Sequence, residues 1–589
     1  MATDTETALD PSLREAAEDW LRQMSSALQA DDPEAAVALF GADAWWRDLL
    51  ALGWDLRTFH GAEAIAAMLA ERLPGSGIGE LSLEAQPQLV EPDETSCWIE
   101  ALFAFETSVA YGRGVVRLVP AEEGGWRAWT LLTAAQELKG SEERRGARRP
   151  TGVAHGSQGA NGTWLARRER ERAYADRDPE VLVIGAGQGG LSIAARLGQL
   201  GVDTLVIEQN PRVGDNWRNR YESLVLHDPV WADHLPYMDF PDSWPVYTPK
   251  DKLGDWFESY VASMELNVWT ETQLLRGSYD ESEERWAVRI TGPGGERDLR
   301  PSHVVLATGA LGEPYKPDFL GADAFEGTLV HSSEHAGAEE WEGARAVVVG
   351  ACNSGLDIAQ DFHAHGADVA VVQRSSTYVM TSANGIPVIF GGLYYEGGPA
   401  TEDADLIAAS YPLPVMLEFA KAQTQAIAEL DRELLDGLER AGFQTDFGDD
   451  GGGLMSRALR RGGGYYIDVG CAQLIADGEV KVHQGAGVER FTATGVLLSD
   501  GAELEADVIV LATGYANMRE TARRLFGDAV ADRCNPVWDL DAEGEMNTIW
   551  RPSGHPRFWF MGGSLQLARV YSRYLALQIK AELNGLTEA

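Results

Sequence analysis

Residues 180–200 read EVLVIGAGQGGLSIAARLGQL, and their order decides the fold. An apolar run, Val181 to Ile184, leads into Gly185-x-Gly187-x-x-Gly190, and an apolar pattern of helical period follows. Each glycine has its own reason. The first permits a tight turn, the second lets backbone approach a pyrophosphate, and the third lets helix pack on strand. The new helix then presents free N–H groups to phosphate. The next strand-like run, DTLVIEQ (203–209), carries Glu208 near its end. That lies at about the 20-residue distance expected of a carboxylate that binds ribose hydroxyls. Strand, turn, helix and acid together predict a dinucleotide-binding βαβ unit that takes an unphosphorylated ribose.

A second unit of this kind begins farther on. Residues 344–362, ARAVVVGACNSGLDIAQDF, repeat the pattern with Gly350 and Gly355 in place and Cys352 where the middle glycine belongs. The strand after it, ADVAVVQRSS (367–376), ends in Arg374 instead of an acid. A cation there suits a 2′-phosphate, which a carboxylate would repel. The two turns therefore predict two different nucleotides, the second being NADPH. The Cys352 side chain predicts a narrower approach to the pyrophosphate and some loss of affinity. The alternative is a turn that has lost its nucleotide and only packs.

The rest of the composition bounds the answer. A chain of 589 residues predicts three or four domains. A net charge of −42 disfavours nucleic acid and anionic lipid as partners. Cys97, Cys352, Cys471 and Cys534 are scattered with no Cys-x-x-Cys, which argues against a disulfide framework, a dithiol redox pair or a zinc ribbon, and no metal site is expected. The N-terminal MATDTETALDPSLREAAEDW has no apolar signal region, and no apolar run reaches the ~18 residues of a membrane span. The expected compartment is a reducing cytoplasm.

Around the two units the chain divides by character. Residues 1–140 run from helical periodicity to strand-like alternation, which predicts an α+β unit. Residues 141–178, rich in Gly, Ser and charge, predict a linker with a short helix. The expected organisation is a first dinucleotide-binding segment over 179–319, a second domain over 320–515 with a helical insert at about 401–445, and a return to the first domain over 516–589. The fold class is α/β: two Rossmann-like dinucleotide-binding domains, for FAD and NADPH, behind an α+β N-terminal domain. The segments LATG at 306–309 and 511–514 each end a strand; a resemblance to two-dinucleotide-domain flavoproteins implies that Thr513 and Gly514 fall where the chain crosses between domains.

At GDNWRNRYESLVLHDP (214–229) the sequence resembles the class B flavin-dependent monooxygenases: flavin-containing monooxygenases, YUCCA-type enzymes and Baeyer–Villiger relatives. In that family a Gly-x-x-Trp-Arg segment wraps FAD, matched by Gly214, Asn216, Trp217, Arg218 and Tyr221. His227 and Asp228 stand where the family places polar groups near the flavin ring. Asn353, Ser354 and Gly355 fit its Gly-x-Gly-Asn-Ser-Gly turn. Phe325, Gly327 and His331 match its F-x-G-x-x-x-H fingerprint, with His335 where an aromatic residue is usual, and His331 is expected to brace the interdomain linker. The N-terminal unit resembles the NTF2-like (SnoaL-like) cone fold, which in other proteins serves as a pocket or a homodimer surface. The resemblance implies an NADPH- and O2-dependent enzyme that inserts one oxygen into a small organic substrate through a C4a-(hydro)peroxyflavin. Nitrogen, sulfur or indole oxygenation and Baeyer–Villiger chemistry all stay open. Arg461, in RALRRGGGYYIDVG (457–470), is a candidate cation for the flavin oxygen adduct, with solvated Arg460 and Arg461 as the alternative. Two other functions share this architecture: an NADPH oxidase or flavin reductase that oxygenates nothing, and a non-catalytic flavin-binding protein.

Overall fold

The structure, a computed structural model, describes residues 11–92, 96–152, 163–309 and 312–587. The first dinucleotide unit forms as its pattern dictates. Strand Val181–Ile184, the Gly turn and helix Gln188–Gln199 are followed by strand Thr204–Ile207. These strands are buried on both faces, which is why they read as continuous apolar runs and not as alternation. The parallel sheet has the order 267–269, 204–207, 181–184, 303–306, 558–560. Its last strand comes from the far end of the chain. Helix Leu565–Leu583 follows that strand, capped where Leu567 N donates to Ser564 Oγ.

The second parallel sheet runs 328–331, 508–511, 345–349, 368–373, 481–484. Helix Asn353–Ala364 springs from its Gly turn. A three-stranded antiparallel sheet flanks each Rossmann-like sheet, at 273–299 and 488–505. Between strand Thr377–Thr381 and strand Tyr465–Asp468 the chain detours through helices Ser382–Phe390, Thr401–Ala409, Leu413–Leu430, Arg432–Arg440 and Gly453–Arg461.

The N-terminal residues make a separate layer. Helix Pro11–Gln29 and a short helix capped by Asp32, whose carboxylate accepts from Ala35 N, pack on a curved sheet. Strands 98–106, 110–120 and 126–138 form an antiparallel meander, and strand 40–49 joins it in parallel. Gly112 and Gly114 lie under the rings of Phe105 and Phe103, where a Cβ would sit 2.3 and 2.2 Å from ring carbons. The missing side chains let large rings cover the sheet, with register shifts at Tyr111/Gly112 and Arg117/Leu118. This layer is no appendage. Leu49, Leu132 and Leu138 share one apolar core with Val183, Leu191 and Leu575 of the first dinucleotide domain. Of the linker, residues 153–162 lie outside the described residues; around them Arg145 meets Glu402, Arg148 meets Glu137, and Arg168 meets Glu171.

Candidate functional site: a dinucleotide turn opening on a large cavity

Gly185 adopts φ +106°, and a Cβ on it would stand 2.6 Å from the Ala307 carbonyl oxygen. A Cβ on Gly190 would stand 1.9 Å from the Gly185 carbonyl oxygen. Both positions are thus closed to any other residue, one by backbone angle and both by backbone contact. Gly187 is different. Its φ is −78°, and its nearest neighbour is the Asn216 amide. Its missing side chain serves access to the turn, not the turn's shape. Glu208 accepts from Ala186 N at 2.8 Å and from Asn210 N at 2.9 Å, so its carboxylate is fixed at the strand tip beside the turn.

This turn forms one end of a cavity of about 1890 Å³. Gly185, Gly187, Glu208, Asn216, Trp217 and Asp228 all line it. Two buried polar atoms on its wall, Trp217 Nε1 and Thr308 Oγ1, have no partner among the described residues. A buried donor of this kind calls for an acceptor, which a ligand or a water in the cavity can supply. The volume exceeds the roughly 300–1,000 Å³ of an ordinary ligand pocket, enough for a dinucleotide and a substrate together. The residues present fit FAD.

The wrapping segment splits into two roles. Gly214, at φ +91°, lies against Gly254, where a Cβ would be 2.4 Å from its carbonyl oxygen. Asn216 and Trp217 face the cavity. Arg218 does not: it donates to Val213 O, Asp215 and Asp255 and so ties its short helix to helix Lys250–Ser263. Tyr221 also turns away, donating to Asp357 of helix Asn353–Ala364 at 2.6 Å. These two act as struts within the protein.

At the second turn Gly350 has φ +122°, with Ala512 O 2.3 Å from any Cβ, and a Cβ on Gly355 would lie 2.1 Å from Gly350 O. Cys352 has φ −112° and ψ −172°, close to the conformation of Gly187. The cysteine therefore strains nothing. Burial pushes its thiol pKa up, and its nearest polar neighbours are the backbone of Gly464 and Tyr465. Asn353 is also committed to protein, since its Oδ1 accepts from Ile467 N at 2.8 Å. This bond braces the helix against strand Tyr465–Asp468. Ser354 stands in the first turn of the helix. Arg374 is exposed and pairs with no carboxylate among the described residues. In a chain this acidic, an uncommitted guanidinium at the strand tip fits a phosphate group.

The linker contacts are specific. Thr513 Oγ1 donates to Tyr315 O at 2.6 Å, and Tyr315 N donates to Gly514 O. His331 donates from Nε2 to Gly514 O at 3.1 Å and accepts at Nδ1 from Ser333 N. Its ring stands edge-on to Tyr515. His331 thus clamps the two crossings together. His335 is buried against Phe362 and beside Asp361 at 3.3 Å, filling with an imidazole the space of an aromatic ring.

Asp228 lines the cavity and His227 does not; burial lowers the His227 pKa to about 4 and raises that of Asp228 to about 6. His227 is therefore neutral at physiological pH. Asp233, fully buried with both carboxylate oxygens unpartnered, is pushed up by burial and then by Asp228, against the pull of Arg569. Arg461 is not brought to this site. It is exposed and pairs with Asp449 at 2.5 Å. It ends its helix in solvent, so the solvated reading holds for it. Three cavity residues escaped sequence reasoning. Arg220 faces the cavity and donates to the Tyr515 hydroxyl, Tyr465 lies beside Asp228, and Gln188 bridges to Gly563 O. Each lies within a stretch singled out from the sequence but at a position its pattern leaves open, and each is placed by contacts across hundreds of residues.

Comparison with known proteins agrees with this geometry. The profile of the family described as "Pyridine nucleotide-disulphide oxidoreductase" matches residues 182–384. The rice (Oryza sativa subsp. japonica) indole-3-pyruvate monooxygenase YUCCA1 is 33% identical over 338 residues, covering 57% of this chain and 77% of the relative. A probable indole-3-pyruvate monooxygenase, YUCCA3 of Arabidopsis thaliana, is 29% identical over 57% of this chain and 72% of its own. Among solved structures, cyclohexanone monooxygenase in its closed form has a TM-score of 0.50 at 18% identity, over 69% of this chain and 85% of that one. The caprolactone-bound form scores the same, over 88% of its chain, and at this identity the likeness concerns the fold. Two Gly turns closed by backbone contact, a fixed acid at the first and a free cation at the second are thus carried by a chain that belongs to the class B flavin-dependent monooxygenases, which use FAD and NADPH to insert oxygen into an organic substrate.

Proposed function

We propose that the first turn holds FAD and the second holds NADPH, and that the cavity between the first turn and the N-terminal layer is where substrate is oxygenated. The observation that carries this is the continuity of the cavity. One void runs from Gly185, Gly187 and Glu208 to an apolar wall that includes Leu393, Met416 and Val570. When bound, FAD takes hydride from NADPH and activates O2, and the redox chemistry is the cofactor's.

The chain's residues do the rest. Backbone N–H groups at the start of helix Gln188–Gln199 meet the pyrophosphate, and Glu208 accepts from ribose hydroxyls. Gly562 and Gly563, on the cavity wall, let the C-terminal helix approach without a side chain between. Arg374 pairs with the 2′-phosphate of NADPH, and Gly350, Ser354 and Gly355 shape the turn before it. The apolar wall keeps water from the reacting centre. Asp228 holds a proton at its carboxyl up to about pH 6. Helices packed on one face of a curved sheet support the NTF2-like reading of the N-terminal layer, and the opposite face, with Trp98, Glu100 and Leu102, lines the cavity.

The test is turnover of the FAD-loaded chain with NADPH in air, across aryl sulfides, amines, indoles and ketones. The expected outcome is an oxygenated product in proportion to NADPH consumed. Hydrogen peroxide equal to the NADPH consumed, with no oxygenated product from any substrate, would leave an NADPH oxidase. A flavin that NADPH fails to bleach without air would leave a binding protein.

A further inference from the structure

The monooxygenase cavity does not end within the two dinucleotide domains. Its far wall belongs to the N-terminal layer: Gln88, Leu89, Val90, Trp98, Glu100 and Leu102 line it. These residues come from the edge of the curved sheet, where strand Gln88–Val90 pairs with strand Trp98–Glu106. Facing them are Tyr411, Met416 and Phe419 from the helical detour. Trp98 sits 5.6 Å from Trp129 and 6.3 Å from Phe419, centroid to centroid, and Phe419 stands edge-on to Tyr411. An aromatic box therefore lines the part of the void that the N-terminal layer contributes.

Two features give this box a chemistry. Trp98 is only 5% exposed, yet its Nε1–H meets no acceptor among the described residues. An indole N–H is a donor only, and a buried one without a partner calls for an acceptor. The charges nearby are already neutralised. Glu100 pairs with Arg117 at 2.8 Å, and the Arg117 guanidinium lies 3.5 Å over the Tyr411 ring. Arg113 pairs with Asp403 at 2.7 Å. The buried part of the box thus offers apolar surface, a neutralised Glu100–Arg117 pair and the uncharged Trp98 donor, with Gln88 and Glu91 at its exposed rim.

We infer that the N-terminal layer supplies a distal substrate subsite. It takes the far end of an elongated, neutral, apolar substrate that carries a hydrogen-bond acceptor there, and Trp98 is its specificity-determining residue. This rests on the oxygenation reading above. The reacting group lies at the flavin end, and the acceptor, an ester or ketone oxygen, lies against the Trp98 indole.

The test uses the FAD-loaded full chain and three probes: methyl phenyl sulfide, the same sulfide bearing a para chain that ends in a methyl ester, and its analogue in which that chain ends in an alkyl group of matching length. Binding is read by calorimetry on the oxidised protein. In the wild type both long probes bind more tightly than methyl phenyl sulfide, and the ester binds about fivefold more tightly than the alkyl analogue, as one net hydrogen bond gives. Trp98→Phe keeps a ring in the box and removes the donor, so the ester loses its advantage while the alkyl probe changes little. Leu89→Trp, at a lining residue that is 45% exposed, narrows the box without disturbing the core. It weakens both long probes several-fold and leaves methyl phenyl sulfide unchanged. Should Trp98→Phe lose its flavin, Leu89→Trp decides. The subsite is overturned if the long probes bind no better than the short one, if the ester keeps its advantage in Trp98→Phe, or if Leu89→Trp leaves long-probe binding intact. Bleaching of the wild-type flavin by NADPH without air separates the failures: if it occurs, only the subsite falls; if it does not, the oxygenation reading falls first.

Discussion

At the scale of single residues, charge and backbone geometry separate the two nucleotide sites. Glu208 is fixed by Ala186 and Asn210, while Arg374 is left free in a protein of net charge −42. Replacing Arg374 with Ala should lower the preference for NADPH over NADH by at least about tenfold, or ~1.4 kcal/mol, in the rate of flavin reduction followed by stopped flow. An unchanged ratio would mean that another group reads the 2′-phosphate. The middle position of the turn also finds its explanation here. Cys352 and Gly187 share an extended conformation, so glycine is needed at that position only for closeness to phosphate, and a small thiol is tolerated. Asp228 carries a pH dependence of definite sign. Its folded pKa, about 6, lies above the ~3.9 of an unfolded chain. Between those values the native state keeps a proton that the unfolded state has released, so this group's contribution to stability falls as pH rises from about 4 to about 6 and then levels. Asp228→Asn should therefore gain stability relative to the wild type over that window, read as urea midpoints at pH 4.5 and 7. Parallel midpoint curves for the two proteins would show that the carboxyl is not buried as described.

At the scale of elements, the turns depend on backbone passing over backbone. Alanine is the better helix former by about 1 kcal/mol, so Gly190→Ala ought to help its helix. A Cβ there, however, meets Gly185 O at 1.9 Å. The expected outcome is a folded but nearly colourless protein, with flavin content per chain reduced by about tenfold or more; a fully yellow variant would show that the turn can open at little cost. These elements were the legible part of the sequence. The strand–turn–helix units at 181–199 and 345–364 formed where the apolar runs and glycines put them, because both the period and the closing residue are local signals. The roles of Arg218, Tyr221 and Asn353 were not legible. Each bonds to a partner that the motif does not contain: Asp255, Asp357 and Ile467 N. A motif fixes the neighbourhood of a side chain, but its hydrogen-bond partner is chosen by packing. Arg461 shows the same limit, since one turn of helix separates the buried Arg457 from a solvent-facing ion pair.

At the scale of the whole molecule, the N-terminal layer is held to the flavin domain by buried ions. Arg47, 1% exposed, makes a two-pronged pair with Glu545 at 2.6 and 2.7 Å and donates to Ala409 O and the Tyr571 hydroxyl. Arg57–Glu543 and Arg551–Asp55 pair at the same interface. Arg47→Met strands a buried carboxylate and should cost about 3–5 kcal/mol in denaturant unfolding, while Arg47→Met/Glu545→Met should recover most of that loss. A single variant as stable as the wild type would make the interface incidental. This seam has a consequence for dissecting the protein: each side keeps one half of a buried ion pair, Arg47 and Asp55 on one, Glu545 and Arg551 on the other, so neither piece can be produced alone without baring an uncompensated charge.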